Sequence, residues 1–291
     1  MHLPAPRRPL PEPARIPGPA EVPASDPLDA WGLLPRDPDW AQGLRETWEP
    51  GEPAARARMR EFFAEDAAEY EAARDEPAAA RTSLLSPRLR WGELSPYTVW
   101  HAAVSADVDA GRFLTELGWR EFSWHVRFHH PDLDTENLHR EFDAFPWPPE
   151  DPRKLRAWQR GRTGYPFVDA GMRELWHTGH MHNRARMVVA SFLVKNLLIH
   201  WRRGEEWFWD TLVDADATSN PFNWQWVAGS GADAAPYFRV FNPEVQRQKF
   251  DPQGLYCARW APDADRIAPI VDLVQSRAAA LEGYERVKGA R

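Results

Sequence analysis

Apolar side chains recur at helical spacing along most of this chain. In residues 51–76, which are rich in Ala, Arg and Glu, the apolar residues Met59, Phe62, Phe63 and Tyr70 follow that spacing. The pattern predicts further helices at 97–110, 112–128, 153–160, 168–178, 181–203, 205–213 and 221–228, and an amphipathic helix at 267–287. No stretch alternates between apolar and polar residues for long enough to build a sheet, and no segment repeats. The predicted fold class is all-α.

The stretch from Met187 to Trp201 is apolar almost all the way round, so a helix formed by it must be buried on every side. Polar and charged residues flank it: Asn183, Arg184, Arg186, Asp214, Asp216 and Asn220. Such groups are costly beside a buried helix unless they pair with each other or with a ligand. We therefore expect this stretch to form one wall of a deep polar pocket.

Proline interrupts the helical pattern in two places. Residues 1–27 contain nine prolines and are predicted to form an extended linker, and residues 129–153 are predicted to be irregular. The predicted domain organisation is a linker over 1–27 and one helical domain over 28–291. A linker normally joins a domain to something before it, so we expect an N-terminal domain to be missing from this sequence.

Charge is distributed unevenly over the 291 residues. Residues 153–203 contain eleven Lys or Arg and two acids, a net +9, whereas the whole chain carries −7. This asymmetry fits a face that binds nucleic acid or phosphate, and it also fits a merely solvated helix face. The single cysteine, Cys257, excludes a disulfide framework, and no signal peptide or membrane segment is evident. These features predict a soluble cytoplasmic protein.

Two short polar segments are candidates for ligand binding. Thr82, Ser83 and Ser86 lie in a turn that leads into a helix, where they could cap the helix or bind an anion. Asp214 and Asp216 could hold a metal, act as acid and base, or accept hydrogen bonds from a ligand. Both segments could equally be ordinary helix caps and polar loop residues that bind no ligand.

Histidines occur in two groups, at 125–130 and at 177–182. Their spacing matches no standard zinc pattern and no cysteine lies near them, so we predict no metal site. The chain also contains 16 tryptophans, which are bulky core residues that can stack on flat ligands or carry electrons.

Several stretches, read together, resemble the C-terminal FAD-binding helical domain of the DNA photolyase/cryptochrome family. They are residues Thr82 to Ser86, Trp119 to Phe122, Gly164 to Ala170, Met181 to Met187, Trp224 to Trp226, Asp233 to Arg239 and Phe241 to Pro243. The resemblance covers roughly residues 28–260 and the final helix. It implies the helical fold of that domain.

The resemblance implies that FAD is bound. The positions matching the family's FAD-binding residues are Tyr70, Thr82, Ser83, Leu84, Leu85, Ser86, Phe113, Arg120, Arg186, Asp214, Ala215, Asp216 and Asn220. Among these, Arg186 and Asp214 match an ion pair beside the isoalloxazine ring. Asn220 matches the position that faces flavin N5, where plant-type cryptochromes have Asp and animal-type ones have Cys. The amide therefore favours a repair enzyme.

The resemblance also implies a substrate, DNA containing cyclobutane pyrimidine dimers. Positions matching lesion or DNA contacts are Arg74, Glu116, Trp119, Asn183, Arg184, Met187, Trp226 and Gln246. Enzymes that repair (6-4) photoproducts carry His at the positions of Asn183 and Met187. The implied reaction is light-driven electron transfer from reduced FAD, with Glu116, Asn183 and Asn220 close to the chemistry. Trp224, Trp201 and Trp147 match the chain of indoles that photoreduces the flavin.

The chain departs from the family pattern in three respects. We expect it to lack the N-terminal α/β antenna domain, its segment between Trp260 and Pro269 is shorter by about thirty residues, and Tyr97 replaces a common Arg. The leading hypothesis is a cyclobutane pyrimidine dimer photolyase or its catalytic domain, acting as a monomer away from membranes. The alternatives are a cryptochrome-like blue-light photoreceptor and an inactive fragment.

Overall fold

The computed structural model describes residues 5–233 and 238–289. Residues 234–237, which belong to the stretch Asp233 to Arg239 used for the family resemblance, lie outside the described ranges. So do the first four residues of the predicted linker. Residues 5–27 contain no helix, and a short 3₁₀ turn follows at Leu28–Trp31.

The described residues contain α-helices but no β-strand, which confirms the predicted fold class. In chain order the helices, α1 to α14, are Gln42–Thr47, Glu52–Glu61, Tyr70–Ala73, Ser86–Arg90, Pro96–Ser105, Gly111–His129, Pro152–Gln159, Pro166–Thr178, Asn183–Ser191, Trp201–Thr211, Ser219–Ala228, Pro243–Phe250, Leu255–Trp260 and Leu273–Gly289. None of the helices in the described part of the chain is long and apolar enough to span a membrane.

Local sequence explains where several helices begin. Ser95, Asp151 and Asn242 each accept a hydrogen bond from a backbone N–H of the first turn of α5, α7 and α12. A proline follows each of these caps at the first helical position, where its missing N–H costs nothing. The predicted irregular segment 129–153 is confirmed apart from a 3₁₀ turn at Arg140–Ala144.

The prediction of one helix over 181–203 is wrong. After α9 the chain forms a π-helical turn at Phe192–Asn196 and then breaks at Leu198, which has φ +54°. His200 then caps α10 through its side chain. The apolar run contains no local signal for this break. A continuous helix and a broken one would both bury its apolar side chains, so the pattern does not distinguish them. Packing of the surrounding helices therefore decides the conformation.

Other helix boundaries also differ from the predictions. The helical region that starts at Glu52 is interrupted by π-helical and 3₁₀ turns at Phe62–Asp66 and Ala67–Glu69 and ends at Ala73. The last helix begins at Leu273, six residues later than predicted. The short helices α1, α12 and α13 were not predicted, because a helix of six to eight residues gives too little periodicity to recognise.

Two apolar clusters are the largest among the described residues. The larger is built on α7 to α11 and includes Trp158, Phe192 and Trp201, all of which are at most 1% exposed. The smaller is built on α2, α5 and α6 and includes Phe62 and Phe113. The region between these two clusters contains the candidate site.

Candidate functional site

A cavity of about 530 Å³ lies between the two apolar clusters. This volume falls within the roughly 300–1,000 Å³ that is usual for ligand and cofactor sites. Helices α3, α4 and α6 line one side, and α9 to α11 line the other. The structure brings the following predicted site residues to this cavity: Tyr70, Arg74, Ser83, Leu85, Ser86, Phe113, Glu116, Trp119, Arg120, Asn183, Arg184, Arg186, Met187, Asp214, Ala215, Asp216, Asn220, Trp224 and Trp226.

Five predicted site residues do not line the cavity: Thr82, Leu84, Trp147, Trp201 and Gln246. The carbonyl oxygen of Thr82 accepts a hydrogen bond of 2.9 Å from Arg58 Nη2. Leu84 has φ +55°, which shapes the turn that precedes α4. Gln246 lies on α12 outside the cavity, so its predicted DNA contact, like the roles of the other four, stays a prediction.

The ion pair predicted between Arg186 and Asp214 is present at the cavity wall. Arg186 Nη2 lies 2.9 Å from Asp214 Oδ2 and 3.2 Å from Oδ1, and Arg186 Nε donates to the carbonyl oxygen of Met181 at 2.7 Å. Burial raises the pKa of Asp214, but Arg186 and then His180 outweigh it, so the pKa lies below its ordinary value. The carboxylate is therefore ionised and held in one orientation.

The turn before α4 is joined to the loop that carries the aspartates. Ser86 Oγ donates to Asp214 Oδ2 at 2.6 Å. Arg90 Nε donates to the carbonyl oxygen of Ala215, and Trp91 Nε1 donates to that of Val213 at 2.8 Å. Two segments that are about 125 residues apart in sequence thus form one continuous wall.

The second aspartate supports the start of α11. Asp216 Oδ1 accepts hydrogen bonds from the backbone N–H of Thr218 and of Ser219 and from the Thr218 hydroxyl. Burial alone would raise the pKa of Asp216. These hydrogen bonds lower it by more than burial raises it, so the pKa lies below its ordinary value. At least one oxygen of Asp216 is therefore occupied by the protein itself.

Asn220 is 8% exposed and faces the cavity. Its Nδ2 donates to the backbone oxygen of Glu205 at 3.0 Å and to Glu205 Oε1 at 2.8 Å. Since the amide nitrogen is used in this way, the amide oxygen is the atom left to accept a hydrogen bond from a ligand. Burial and the nearby Asp134 raise the pKa of Glu205 to about 7.

At the cavity mouth, Glu116 is held by two arginines. Arg74 Nη1 lies 2.5 Å from Glu116 Oε1, and Arg112 Nη2 lies 3.1 Å from the same oxygen. Arg74 is only 9% exposed and its guanidinium lies 5.5 Å from the centre of the Tyr70 ring. Arg74 therefore lines the cavity and orients Glu116, and its predicted DNA contact stays a prediction.

Two indoles flank the same mouth. Trp119 is 42% exposed, and Trp226 Nε1 donates to the carbonyl oxygen of Asp233 at 3.0 Å. Asn183 is exposed at the start of α9 and also lines the cavity. Arg184 forms two hydrogen bonds with Asp75. Its Nε donates to Oδ1 at 2.8 Å, and its Nη2 donates to Oδ2 at 2.6 Å. The mouth thus combines exposed aromatic faces with an amide and a carboxylate.

The three tryptophans predicted to carry electrons lie in two ring clusters. Trp224 is 2% exposed, lines the cavity, and contacts Phe208 and Trp158 edge to face at centroid distances of 4.9 and 6.3 Å. His200 lies between the other two, 5.5 Å from Trp201 and 4.9 Å from Trp147. Sequence reasoning missed His200, Trp158 and Phe208, because ring contacts across helices leave no pattern along the chain.

Some cavity residues were not predicted at all. The polar ones are Arg90, Arg112, Ser123, Ser219, Asn223 and Asp233. Ser123 Oγ lies 3.0 Å from Thr218 Oγ1, which links α6 to the start of α11. Ser123 and Arg112 share a helix with the predicted Glu116 and Arg120, so the spacing of that helix was the signal that could have identified them.

The family model described as "FAD binding domain of DNA photolyase" matches residues 113–271. Because the match covers more than half of the chain, the chain belongs to this family of FAD-binding domains. A deoxyribodipyrimidine photo-lyase from Agrobacterium fabrum is 51% identical over 267 residues, which are 90% of this chain and 56% of that protein. A protein of the same name from Escherichia coli is 48% identical over 73% of this chain and 46% of its own length.

Solved structures show the same fold. A bacterial class III photolyase from Agrobacterium tumefaciens has a TM-score of 0.87 and 47% identity, and the match covers 93% of this chain and 63% of that one. A cryptochrome from Synechocystis has a TM-score of 0.75 and 35% identity, covering 81% of this chain and 56% of its own. The chain thus spans somewhat more than half the length of these proteins.

The cofactor of the family is FAD, and the cavity suits it chemically. Apolar and aromatic side chains are combined with arginines that give the lining positive charge, although several of them, such as Arg184 with Asp75, are paired within the protein. The buried Trp224 Nε1 has no hydrogen-bond partner among the described residues. A buried donor without a partner is costly, so a ligand that offers an acceptor would relieve it.

Proposed function

We propose that this chain carries out light-driven repair of cyclobutane pyrimidine dimers in DNA, as the catalytic domain of a deoxyribodipyrimidine photolyase. One observation supports the proposal: a single cavity has a charge-paired wall that suits the cofactor and an aromatic mouth that suits the lesion. The wall is formed by the Arg186–Asp214 pair with Asn220, and the mouth by Glu116, Trp119 and Trp226.

The inner end of the cavity would hold FAD. When it is bound and reduced, FAD supplies one electron to the lesion after absorbing light. The Arg186–Asp214 pair and Ser86 fix the wall against which the flavin ring would lie. Asn220 offers its amide oxygen towards the flavin, because Glu205 engages the amide nitrogen. The amide itself does not titrate, whereas burial raises the pKa of Glu205 behind it to about 7.

The outer end would hold the two linked pyrimidines after they leave the duplex. Trp119 and Trp226 present ring faces for stacking, which is sequence-tolerant and worth about 1–3 kcal/mol per base. Glu116, held by Arg74, would accept from a pyrimidine N–H, and Asn183 would reach the polar edge of the lesion. A dimer is poorly stacked, so extruding it costs less than extruding normal bases. Once the dimer has taken up the electron, its cyclobutane bonds open and the electron returns, so no protein nucleophile is required.

Trp224 would deliver electrons to the inner end of the cavity. It is the buried indole that lines the cavity, and it belongs to the same apolar cluster as Trp201, against which Trp147 packs. An indole ring can accept an electron and pass it on without moving. A series of buried rings can therefore carry electrons from the protein surface to a bound flavin. This role concerns preparation of the cofactor and is separate from repair itself.

The partner of the chain would be DNA that contains pyrimidine dimers, and the chain would act in the cytoplasm. It would act as a monomer, with an N-terminal antenna domain or without one. Phosphate contacts by the basic segment 153–203 would make DNA binding strongly dependent on salt.

The test is repair of a dimer-containing oligonucleotide by the FAD-loaded, reduced protein under blue or near-ultraviolet light. Repair that requires light and FAD would support the proposal, and no repair would defeat it. The Synechocystis cryptochrome among the structural relatives makes a photoreceptor the second candidate. Light-driven flavin reduction without affinity for the lesion would favour that candidate.

A further inference from the structure

His200 lies where the backbone breaks between the π-helical turn at Phe192–Asn196 and α10. Two residues before it, Leu198 has φ +54°, a conformation that is uncommon for a residue other than glycine. His200 Nδ1 then accepts from the backbone N–H of Arg202 at 3.2 Å and so caps α10. Because Nδ1 accepts, the proton of the neutral ring lies on Nε2. The cap thus fixes both the orientation and the tautomer of the imidazole.

The imidazole ring of His200 lies between two indoles. Its centroid is 5.5 Å from that of Trp201, with the ring planes 32° apart. It is 4.9 Å from that of Trp147, with the planes 56° apart. Both distances fall in the range of about 4.5–7 Å that is usual for aromatic pairs in contact. Among the described residues, the ring contacts therefore join Trp147 to Trp201 through His200.

The inner indole of this set is held in place on its other side. Trp201 is 1% exposed, and its Nε1 donates to Asn137 Oδ1 at 2.9 Å. Asn137 Nδ2 in turn donates to Asp143 Oδ1 at 2.8 Å. Trp147, by contrast, is partly exposed to solvent. The three rings thus lead from a partly exposed indole to a buried and hydrogen-bonded one.

The charge of the middle ring suits a position between two electron donors. Burial and then Arg202 lower the pKa of His200 below its ordinary value, and Asp143 and Glu206 raise it by less. The imidazole is therefore largely uncharged at neutral pH. An uncharged ring does not repel the positive charge that an indole acquires when it gives up an electron.

We propose that His200 is a bridging ring through which an electron passes from Trp147 to Trp201. In this step Trp147 is oxidised to its radical cation and the radical cation of Trp201 is reduced to the neutral indole, while the imidazole is left unchanged. Trp201 would first have given its electron to Trp224, which reduces photoexcited oxidised FAD, and a thiol in solution would later re-reduce Trp147. This inference rests on the part of the proposed function in which the three indoles reduce the flavin. It does not require that the chain repairs a lesion.

Two substitutions separate the ring of His200 from its cap. His200→Asn removes the ring but keeps a side chain that caps helices well, whereas His200→Phe keeps a ring without the capping nitrogen. Flash photolysis of the protein loaded with oxidised FAD, with a thiol in solution, measures electron transfer from Trp147 to Trp201 and the yield of reduced FAD. We expect His200→Asn to slow this transfer about tenfold. His200→Phe should stay close to the wild type.

The opposite ranking would overturn the proposal. If His200→Asn transfers electrons like the wild type and His200→Phe is impaired, His200 only caps α10. Thermal unfolding checks that both variants are folded. His130→Asn makes the same exchange at an exposed histidine after α6, and it should leave the transfer and the yield unchanged.

Variants of the indoles distinguish this inference from the proposed function on which it rests. If Trp147→Phe and Trp201→Phe both leave the yield of reduced FAD unchanged, the proposed series of indoles is wrong and the bridging role is contradicted with it. If both lower the yield but His200→Asn does not, the series of indoles stands and only the bridging role of His200 is contradicted.

A second readout uses the flavin-free protein. Ring currents of the two indoles should displace the NMR signals of the His200 ring protons, and Trp147→Leu should remove part of this displacement. The exposed His130 provides the reference signal of an imidazole in solvent. If the His200 signals coincide with those of His130, the three rings are not in contact in solution and the proposal fails.

Discussion

Asn220 and Glu205 form a contact in which a neutral amide meets a carboxyl group that resists ionisation. Burial first, and then Asp134, raise the pKa of Glu205 from its ordinary 4.5 to about 7. Below that value the group is a neutral acid that still accepts from Asn220. Above it, a negative charge lies behind the amide, at the cofactor end of the cavity.

This contact predicts how stability depends on pH. Because the folded pKa of Glu205 lies above its unfolded value, the stabilisation is complete below about pH 4.5 and is lost as pH rises through about 7. Glu205→Gln mimics the neutral acid, so it should remove the loss of stability at high pH. That loss in the free energy of unfolding is on the order of 1 kcal/mol, a figure reduced because Glu205 is partly exposed to solvent. The measurement is the free energy of unfolding in urea at pH 5 and pH 8. Glu206→Gln, at a more exposed neighbour paired with Arg203, is the control, and an unchanged slope in Glu205→Gln would contradict the prediction.

Asn183 should discriminate damaged from undamaged DNA. Its side chain is exposed at the cavity mouth, where it can reach the polar edge of an extruded lesion but not a stacked base. Asn183→Ala should weaken binding to a dimer-containing duplex about tenfold, the value of one good hydrogen bond to a buried partner, with little effect on undamaged DNA. Fluorescence anisotropy with both duplexes measures this, with Gln275→Ala as the control. Equal weakening for both duplexes would mean that Asn183 is only a structural amide.

Trp224 should matter for cofactor reduction more than for repair. Trp224→Phe keeps a ring against Phe208 but removes the indole, so photoreduction of oxidised FAD should slow by at least tenfold. Repair by protein that has been reduced chemically beforehand should stay nearly unchanged. Flash photolysis and a repair assay separate the two steps, and Trp124→Phe, at an exposed site on α6, is the control. Parallel losses in both assays would contradict the assigned role.

At the scale of helices, periodicity predicted α5 to α8 and α11 well but failed inside the apolar core. The break at Leu198 could not be predicted, because a residue with φ +54° costs about 1–3 kcal/mol and persists only when its surroundings impose it. The ring contact of Trp158 with Trp224 was missed for a similar reason. Each helix reveals which face is apolar, but not which helix will cover that face.

Close packing of α10 on α11 depends on Gly204. A Cβ at this position would overlap the Trp224 ring and Leu193, which lie in the packed core. Gly204→Ala should therefore lower the free energy of unfolding by about 1–3 kcal/mol and weaken FAD binding, because Trp224 must move. Gly118→Ala on α6 is a matched control, since nothing lies within 4 Å of its Cβ, and it should stabilise by about 0.5–1 kcal/mol. Thermal unfolding and FAD titration test both variants, and a neutral Gly204→Ala would contradict the packing argument.

At the scale of the whole molecule, most of the candidate site was predicted from motifs that lie far apart in sequence. The structure brings Ser86, Asn183 and Asp214 to one cavity, as the family resemblance implied. It also assigns Arg74 to Glu116 and Arg184 to Asp75, which no motif could reveal, because charge partners are chosen by the fold. Part of the basic charge of segment 153–203 is therefore used inside the molecule.

The proposed function requires that one cavity hold a flavin at its inner end and a lesion at its mouth. The most direct measurement is the absorption spectrum of the FAD-loaded protein during titration with a dimer-containing oligonucleotide. We predict that the flavin bands shift as the lesion binds, and that an undamaged oligonucleotide at equal occupancy leaves them unchanged. Saturating lesion binding with no change in the flavin bands would show that the two ligands do not share the cavity.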